Sequence, residues 1–286
     1  MKYKNKISGL LKLIRADKPV GTLLLLWPTL SAFIVLTHGN PNFFLVSLFV
    51  LGTFLMRSAG CVINDYFDME FDGNVERTKD RPLVTGSIKP SEALILFFFL
   101  IFFSGLLLYW MNWLTIKVAA FGLVLATFYP LTKRFFAIPQ LFLGLAFSWG
   151  ILMVSAAELN EINYISIFLF TSCFFWILAY DTAYAMSDKE DDLKIGLRSS
   201  ALTFGSKVVH FFICFQILSL LIWSSLGFTL NMHPSFYISS LLWLLLIIYQ
   251  YNLIKDYDRQ NCFLAFKNNN WVGISLFTGS ILGTSL

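Results

Sequence analysis

The residues of this sequence best suited to chemistry are aspartates, and they lie in two short segments, 64–72 and 181–192. Four acidic residues fall in the first segment and five in the second, which makes 9 of the 17 in a chain that is 57% hydrophobic. Carboxylates this close together repel one another unless a cation lies among them. The two segments therefore predict a cation-binding site.

The spacing within each segment places acidic side chains on one face of a helix. Asn64, Asp68 and Asp72 are four residues apart, so on a helix they are neighbours at about 5–6 Å. Asp188 and Asp192 repeat this spacing. Two such stripes placed opposite each other offer only oxygen ligands. Such a set suits Mg²⁺, which takes a few carboxylates, keeps several waters and accepts phosphate oxygens.

Other acidic residues extend both stripes. Asp65 lies three residues before Asp68, and Asp181 lies about two helical turns before Asp188. The simplest alternative is that these side chains are solvated at helix ends. That alternative does not relieve the repulsion at 188–192, where four of the five residues are acidic. A calcium loop of the EF-hand type is disfavoured, because the Gly and Glu that it requires are missing.

Basic residues follow the acidic segments and would complete a site for a diphosphate. Arg77, Lys79 and Arg81 come after the first segment at alternating positions, and Lys133 with Arg134 ends the fourth apolar run. A diphosphate needs metal ions on its oxygens and Arg or Lys for the remaining charge. Membrane topology alone also places cations here, so both explanations stay open for each of the five.

Arg57 differs from these cations because it lies inside an apolar run. It precedes Asn64 by seven residues, so on a helix it shares the same face about 10 Å deeper. A charge inside a membrane span is functional by default. The alternative is a structural ion pair with another helix.

The elements that must position these residues are membrane-spanning helices. Apolar runs of about 18 to 20 residues recur along the chain, which is the length that crosses the hydrocarbon core. The connections leave no soluble domain, so residues 1–286 are predicted to form a single all-α integral membrane domain. The nine predicted spans are 20–38, 43–63, 92–110, 114–132, 137–157, 163–183, 208–229, 235–254 and 269–286.

Orientation follows from the positive charges, because Lys and Arg stay on the cytoplasmic side of a membrane. Nine spans with a cytoplasmic N-terminus place 19 of the 21 basic residues inside, all but Arg57 and Lys117. This bias explains the net charge of +4 without a nucleic-acid partner. Residues 1–19 then form a cytoplasmic or interfacial segment, and 64–91 and 184–206 are cytoplasmic loops that carry the motifs.

Several runs resemble signatures of the UbiA family of intramembrane prenyltransferases. The first signature is similar to Asn-Asp-x-x-Asp-x-x-x-Asp at 64–72, continued by Arg-x-x-x-Arg-Pro at 77–82. The second is similar to Asp-Thr-Ala-Tyr-x-x-x-Asp-x-x-Asp-Asp at 181–192, and a smaller element to Tyr-x-x-x-Lys at 129–133. Two further sequences resemble the branch of the family that prenylates 4-hydroxybenzoate. They are Arg-Ala-Asp-Lys-Pro-Val-Gly at 15–21 and Asp-Thr-Ala-Tyr at 181–184.

The resemblance covers the chain from about residue 12 to its end and implies both a fold and a reaction. The implied fold is a nine-helix bundle, two four-helix halves plus one helix, with a lipid-accessible cavity in the bacterial cytoplasmic (inner) membrane. The implied reaction is Mg²⁺-dependent transfer of a polyprenyl group from its diphosphate to the ring of 4-hydroxybenzoate, ortho to the hydroxyl, in ubiquinone synthesis.

The resemblance also implies roles for individual residues. Lys133 would contact the diphosphate, and Arg57 and Arg134 are candidates for the diphosphate or the carboxylate of the acceptor. The five residues that would hold Mg²⁺ and diphosphate are Asn64, Asp68, Asp72, Asp188 and Asp192. Further candidates for substrate binding are Arg77, Lys79, Arg81 and Tyr129, and possible additional site residues are Asp65, Asp181, Lys189 and Asp191.

Two kinds of alternative function stay open: prenylation of another acceptor by the same mechanism, and ion-coupled transport. Within the family, the acceptor could instead be haem, a naphthoate or a homogentisate-like acid. A cation-coupled transporter would use the aspartates as an ion path. Transporter sites lie near the bilayer midplane on broken helices, whereas these aspartates are predicted at the cytoplasmic ends of spans.

Overall fold

The structure is a computed structural model that describes residues 2–73 and 78–284. These residues form α helices joined by short turns, without a β strand in either described range. The all-helical class is therefore confirmed. The helices are α1 (Lys2–Leu13), α2 (Val20–Leu36), α3 (Phe43–Asp72), α4 (Pro90–Leu107), α5 (Trp113–Thr132), α6 (Gln140–Leu159), α7 (Tyr164–Ile195), α8 (Ser200–Phe204), α9 (Val208–Thr229), α10 (Tyr237–Ile254) and α11 (Arg259–Thr284).

Seven helical segments in the described part of the chain are long and apolar enough to cross a membrane, which makes this a multi-pass membrane protein. Helix α2 is apolar but has only 17 residues. Helix α11 is continuous, but Lys267 and three consecutive asparagines interrupt its apolar sequence. The predicted count of nine spans needs both of these helices and stays a prediction. The seven segments are Phe43–Glu70, Pro90–Trp110, Trp113–Thr132, Gln140–Leu159, Tyr164–Ile195, Ser200–Thr229 and Pro234–Ile254.

The two helices that carry the aspartates are longer than a membrane span requires. Helix α3 has 30 residues and α7 has 32. The predicted loop 184–206 is wrong in its first part, since α7 continues through it to Ile195. No Gly or Pro interrupts this polar stretch before Gly196, whose φ of 71° ends the helix in the left-handed conformation that glycine adopts readily.

Two compact units make up the fold. The first contains Met1–Thr22 and Ser47–Met111, and it buries one apolar cluster that includes Leu13, Val62 and Ile88. That cluster fixes α1 and the segment before α4 against α3. The first aspartate segment therefore belongs to a unit that also contains the N-terminal helix.

The second unit contains Leu23–Val46 and Asn112–Leu286. Its interior holds hydrogen bonds between amides and indoles of four helices. The side-chain amide oxygen of Asn269 accepts from Trp176 Nε1 at 2.8 Å and from Gln216 Nε2 at 3.1 Å, and Trp243 donates to Gln216 at 2.8 Å. Gln216 also donates to Gln250 at 3.0 Å. All five side chains are fully buried, and this amide–indole network links α7, α9, α10 and α11.

Candidate functional site

The first motif forms a stripe along α3, as its spacing predicts. The amide of Asn64 donates to the carboxylate of Asp68 at 3.1 Å. Asp68 and Asp72 are both buried, at 5% and 6% exposure. Carboxylates in such an environment need compensating positive charge, because burial disfavours the ionised form.

Arginines supply part of that charge in the first unit. Asp65 is 1% exposed and accepts from Arg15 Nη2 through both carboxylate oxygens at 2.8 Å. Nη1 of Arg81 lies 2.9 Å from the Oδ1 atom of Asp65 and 2.6 Å from the Oδ2 atom of Asp72. Arg81 therefore contacts the first motif, while Lys79 is exposed and Arg77 lies outside the described residues.

The end of α3 is fixed by local contacts around Asp72. The hydroxyl of Thr78 donates to the carbonyl oxygen of Asp72 at 2.8 Å, and the backbone N–H of Arg81 donates to the carbonyl oxygen of Thr78 at 2.9 Å. Burial raises the pKa of the Asp72 carboxyl above its usual value, against the opposing effect of the Arg81 guanidinium. The Arg81 guanidinium therefore offsets only part of the effect of burial on the Asp72 carboxyl.

Arg57 lies against the start of α2. A methyl group added at Gly21 would come within 2.7 Å of Nη2 and 3.1 Å of Nε of Arg57. The guanidinium of Arg57 thus packs directly on Gly21, and any side chain larger than a hydrogen atom at this position would require the guanidinium to move. Gly21 was not predicted as a site residue, although it is the last residue of the 15–21 motif.

The second motif lies on the last turns of α7. Asp188 is 8% exposed and receives a weak contact of 3.4 Å from the Ser187 hydroxyl. Asp191 instead forms an ion pair with Arg259 at the start of α11, and Lys194 lies 3.9 Å away. The structure therefore places Asp191 in a contact between two helices. Arg259 carried no signal in the sequence that could have identified it.

Two further aspartates of the second motif are half-buried. Asp181 and Asp192 both lie on α7, one before and one after the buried Asp188. The ammonium of Lys189 lies 5.7 Å from the centre of the Tyr257 ring, which is a cation–π contact. These positions match the predicted stripe along α7.

The third motif contacts the turn that follows α7 within the second unit. Tyr129 and Lys133 lie at the end of α5, where the Tyr129 carbonyl accepts from Thr132 at 2.6 Å. The backbone N–H of Arg198, just after α7, donates to the carbonyl oxygen of Lys133 at 3.0 Å. Arg198 was not predicted from the sequence, and its backbone joins the third motif to the turn after the helix that carries the second. Arg134 is the next residue after Lys133 and is exposed.

Mg²⁺ fits the donor set of these motifs. Among residues 2–73 and 78–284, no group of three His, Cys, Asp or Glu side chains is close enough to hold a metal by itself. Mg²⁺ does not require such a group, because it is bound through one or two carboxylates with waters and substrate phosphate oxygens. The buried Asp68 with its Asn64 partner offers oxygens of the right kind.

Comparison with known proteins decides the family. A model of the UbiA prenyltransferase family matches residues 25–276. The chain belongs to the UbiA prenyltransferase family. This match confirms the family that the motifs led us to expect, which is a family of prenyltransferases.

Relatives in the UbiA family resemble this chain over nearly its whole length. The 4-hydroxybenzoate octaprenyltransferase of Nitrosospira multiformis is 49% identical, over 95% of this chain and 93% of the relative. The protein of the same name from Dechloromonas aromatica is 47% identical, over 98% of this chain and 95% of the relative.

Solved structures of UbiA proteins share the fold. The apo structure of a UbiA homologue from Aeropyrum pernix K1 has a TM-score of 0.79 at 21% identity, covering 92% of this chain and 98% of that one. A UbiA homologue from Archaeoglobus fulgidus bound to GPP and Mg²⁺ has a TM-score of 0.72 at 17% identity, covering 97% and 100%. At these identities the likeness shows the UbiA fold alone.

Proposed function

We propose that this protein transfers a polyprenyl group from polyprenyl diphosphate to the ring of 4-hydroxybenzoate, ortho to the hydroxyl, in ubiquinone biosynthesis. The observation that carries the proposal is the near full-length similarity to proteins named 4-hydroxybenzoate octaprenyltransferase, at 46% to 49% identity. All aspartates of both family motifs are present in this chain. The required partners are the two substrates, Mg²⁺ and the surrounding lipid.

The residues of the motifs would act on the leaving group. We propose that Mg²⁺ and the diphosphate bind to both motifs, with Lys133 on the diphosphate. When bound, Mg²⁺ neutralises charge that develops on the departing diphosphate. The allylic carbon becomes cation-like as its bond to oxygen breaks, and the electron-rich phenol ring attacks it through the carbon ortho to the hydroxyl. That carbon then releases its proton, which restores the aromatic ring while the diphosphate departs. The metal-binding residues in this proposal are Asn64, Asp68, Asp72, Asp188 and Asp192.

We further propose that the membrane domain has nine spans, with α2 and α11 added to the seven apolar segments. Nine spans with a cytoplasmic N-terminus leave 19 of the 21 basic residues inside. Both motifs then face the cytoplasm, where a soluble aromatic acid is available. The arrangement as two four-helix halves plus one helix is carried over from the family resemblance.

A transporter is disfavoured by the helices that carry the motifs. Binding sites of transporters lie on helices broken near the bilayer midplane. Helices α3 and α7 are continuous, and their aspartates lie toward the C-terminal ends. Unbroken helices with terminal carboxylates fit a site at the membrane surface.

The acceptor is tested directly with purified protein, Mg²⁺, a labelled polyprenyl diphosphate and a panel of aromatic acids. We expect labelled product from 4-hydroxybenzoate, because its hydroxyl makes the ring nucleophilic. Benzoate has the same carboxylate without the hydroxyl and should give no product. Prenylation of a naphthoate or haem with refusal of 4-hydroxybenzoate would contradict the proposed acceptor and leave the prenyltransferase assignment intact.

The acceptor carboxylate needs one cation, and Arg57 and Arg134 are the candidates. Removal of the residue that binds it should raise the acceptor KM by about tenfold or more, with less effect on the diphosphate KM. Steady-state kinetics of Arg57→Ala and Arg134→Ala, with each substrate varied in turn, measure this. If both variants affected the diphosphate alone, or neither substrate, this assignment would be wrong.

Gly21→Ala provides an independent test of Arg57. The added methyl group lies 2.7 Å from Nη2 in the present geometry, so the guanidinium must move. We expect the same substrate KM to rise as in Arg57→Ala, by a smaller factor. Gly105→Ala on α4 is the matched control, since a methyl group there meets nothing within 4 Å. Equal kinetics for Gly21→Ala and Gly105→Ala would show that the position of Arg57 does not matter.

A further inference from the structure

Asp65 is the most completely paired carboxylate of the first motif. Both of its oxygens lie 2.8 Å from Nη2 of Arg15, and Oδ1 lies 2.9 Å from Nη1 of Arg81. At 1% exposure it has almost no access to solvent. Its spacing from Asp68 made it a possible site residue in the sequence. A carboxylate held by two guanidinium groups, however, has little capacity left for a metal ion.

Arg81 is shared between two carboxylates. Its Nη1 atom lies 2.9 Å from Asp65 and 2.6 Å from Asp72. Together with Arg15, these four side chains carry two positive and two negative charges. Because a buried ion pair is stable only when each charge has a partner, the loss of one member redistributes the others.

Arg15 brings the N-terminal segment into this cluster. It has a φ of 59°, a left-handed conformation that is unusual for a residue with a side chain, and it lies just past the end of α1. Its Nη1 atom donates to the carbonyl oxygen of Lys12 at 2.9 Å, while Nη2 holds Asp65. The turn after α1 is thereby anchored on α3, one helical turn from Asp68.

We propose that Asp65 is a positioning residue that controls how strongly Arg81 binds Asp72. With Asp65 ionised, the Arg81 guanidinium is divided between two carboxylates, and Asp72 stays available to Mg²⁺. Without the Asp65 charge, Arg81 pairs more closely with Asp72 and competes with the metal. This inference rests on the proposed function, because it assigns Asp72 to the Mg²⁺ site.

Asp65→Asn is the direct test, with Mg²⁺ affinity as the readout. Purified protein is heated in detergent with inorganic diphosphate at increasing Mg²⁺, and the Mg²⁺ concentration that gives half of the full thermal stabilisation is recorded. We expect this concentration to rise about tenfold, as for other residues that orient metal ligands. Asp80 is an exposed aspartate in the segment between α3 and α4, and Asp80→Asn should leave the half-saturating Mg²⁺ concentration unchanged.

Arg15→Gln gives a second test with the opposite sign. Removing Arg15 leaves Asp65 with Arg81 as its cation, so Arg81 is drawn away from Asp72. The half-saturating Mg²⁺ concentration should therefore fall by about threefold. A change of this size corresponds to the smaller coupling energies found between residues in contact. Lys18→Gln, an exposed cation of the same segment, is the matched control. This test stands by itself if Asp65→Asn does not fold.

The outcomes separate this inference from the proposed function. An unchanged Mg²⁺ requirement in Asp65→Asn overturns the inference, and so does complete loss of stabilisation by Mg²⁺, which would make Asp65 a metal ligand. A rise in Arg15→Gln would indicate general loosening of the segment and also overturns it. If Mg²⁺ and diphosphate do not stabilise the unaltered protein, the proposed metal site fails, and the inference fails with it.

Discussion

Asp68→Asn and Asp188→Asn should each reduce prenyl transfer by at least about 10²- to 10³-fold, with both proteins still inserted and folded. Each substitution removes a negative charge from a motif and keeps the size of the side chain. Asparagine offers a neutral amide oxygen in place of the carboxylate, so a buried metal ligand loses its negative charge in each variant. The loss should appear in kcat/KM for the polyprenyl diphosphate.

Matched controls are available in both motifs. Asp80 and Glu190 are exposed acidic residues close to Asp68 and Asp188 in sequence, so Asp80→Asn and Glu190→Gln make the same kind of charge change. They should keep activity within about twofold, as for most surface substitutions. Gel filtration and thermal unfolding in detergent check that each variant is folded. Normal kinetics in a folded Asp68→Asn or Asp188→Asn protein would place the chemistry elsewhere.

Removal of divalent metal should abolish activity completely. Buried carboxylates such as Asp68 and Asp72 repel one another and the diphosphate, and the Arg81 guanidinium offsets part of that charge. Addition of excess EDTA to the transfer assay is expected to stop product formation, and Mg²⁺ added back beyond the EDTA should restore it. Full activity in excess EDTA would rule out the metal site.

Each of the nine predicted apolar runs overlaps one helix of the described residues, whereas α1 and the short α8 correspond to none of the runs. The predicted C-terminal ends of α3 and α7 were less accurate, because both helices continue beyond the apolar runs. Apolar length marks where a helix leaves the membrane, whereas the helix itself ends where a residue such as Gly196 takes the left-handed conformation. A polar stretch without Gly or Pro therefore extends a helix beyond the apolar boundary.

The motif aspartates could be predicted because their spacing follows the helical repeat. Their partners could not, because Arg15 and Arg259 are far from Asp65 and Asp191 in sequence and meet them only in the folded chain. No local pattern encodes such a contact. Gly21 was missed for a related reason, since its importance depends on the side chain of Arg57 that lies over it.

The amide–indole network also bears on biogenesis. Helix α11 contains Lys267 and the asparagines 268–270, and it is not among the segments apolar enough to span a membrane by composition. An insertion machinery that sorts segments by apolarity would not retain such a helix alone. Asn269 obtains its partners Trp176 and Gln216 only from helices synthesised earlier. Placement of α11 across a membrane would thus depend on the other helices of the second unit, which supply the partners of this buried amide.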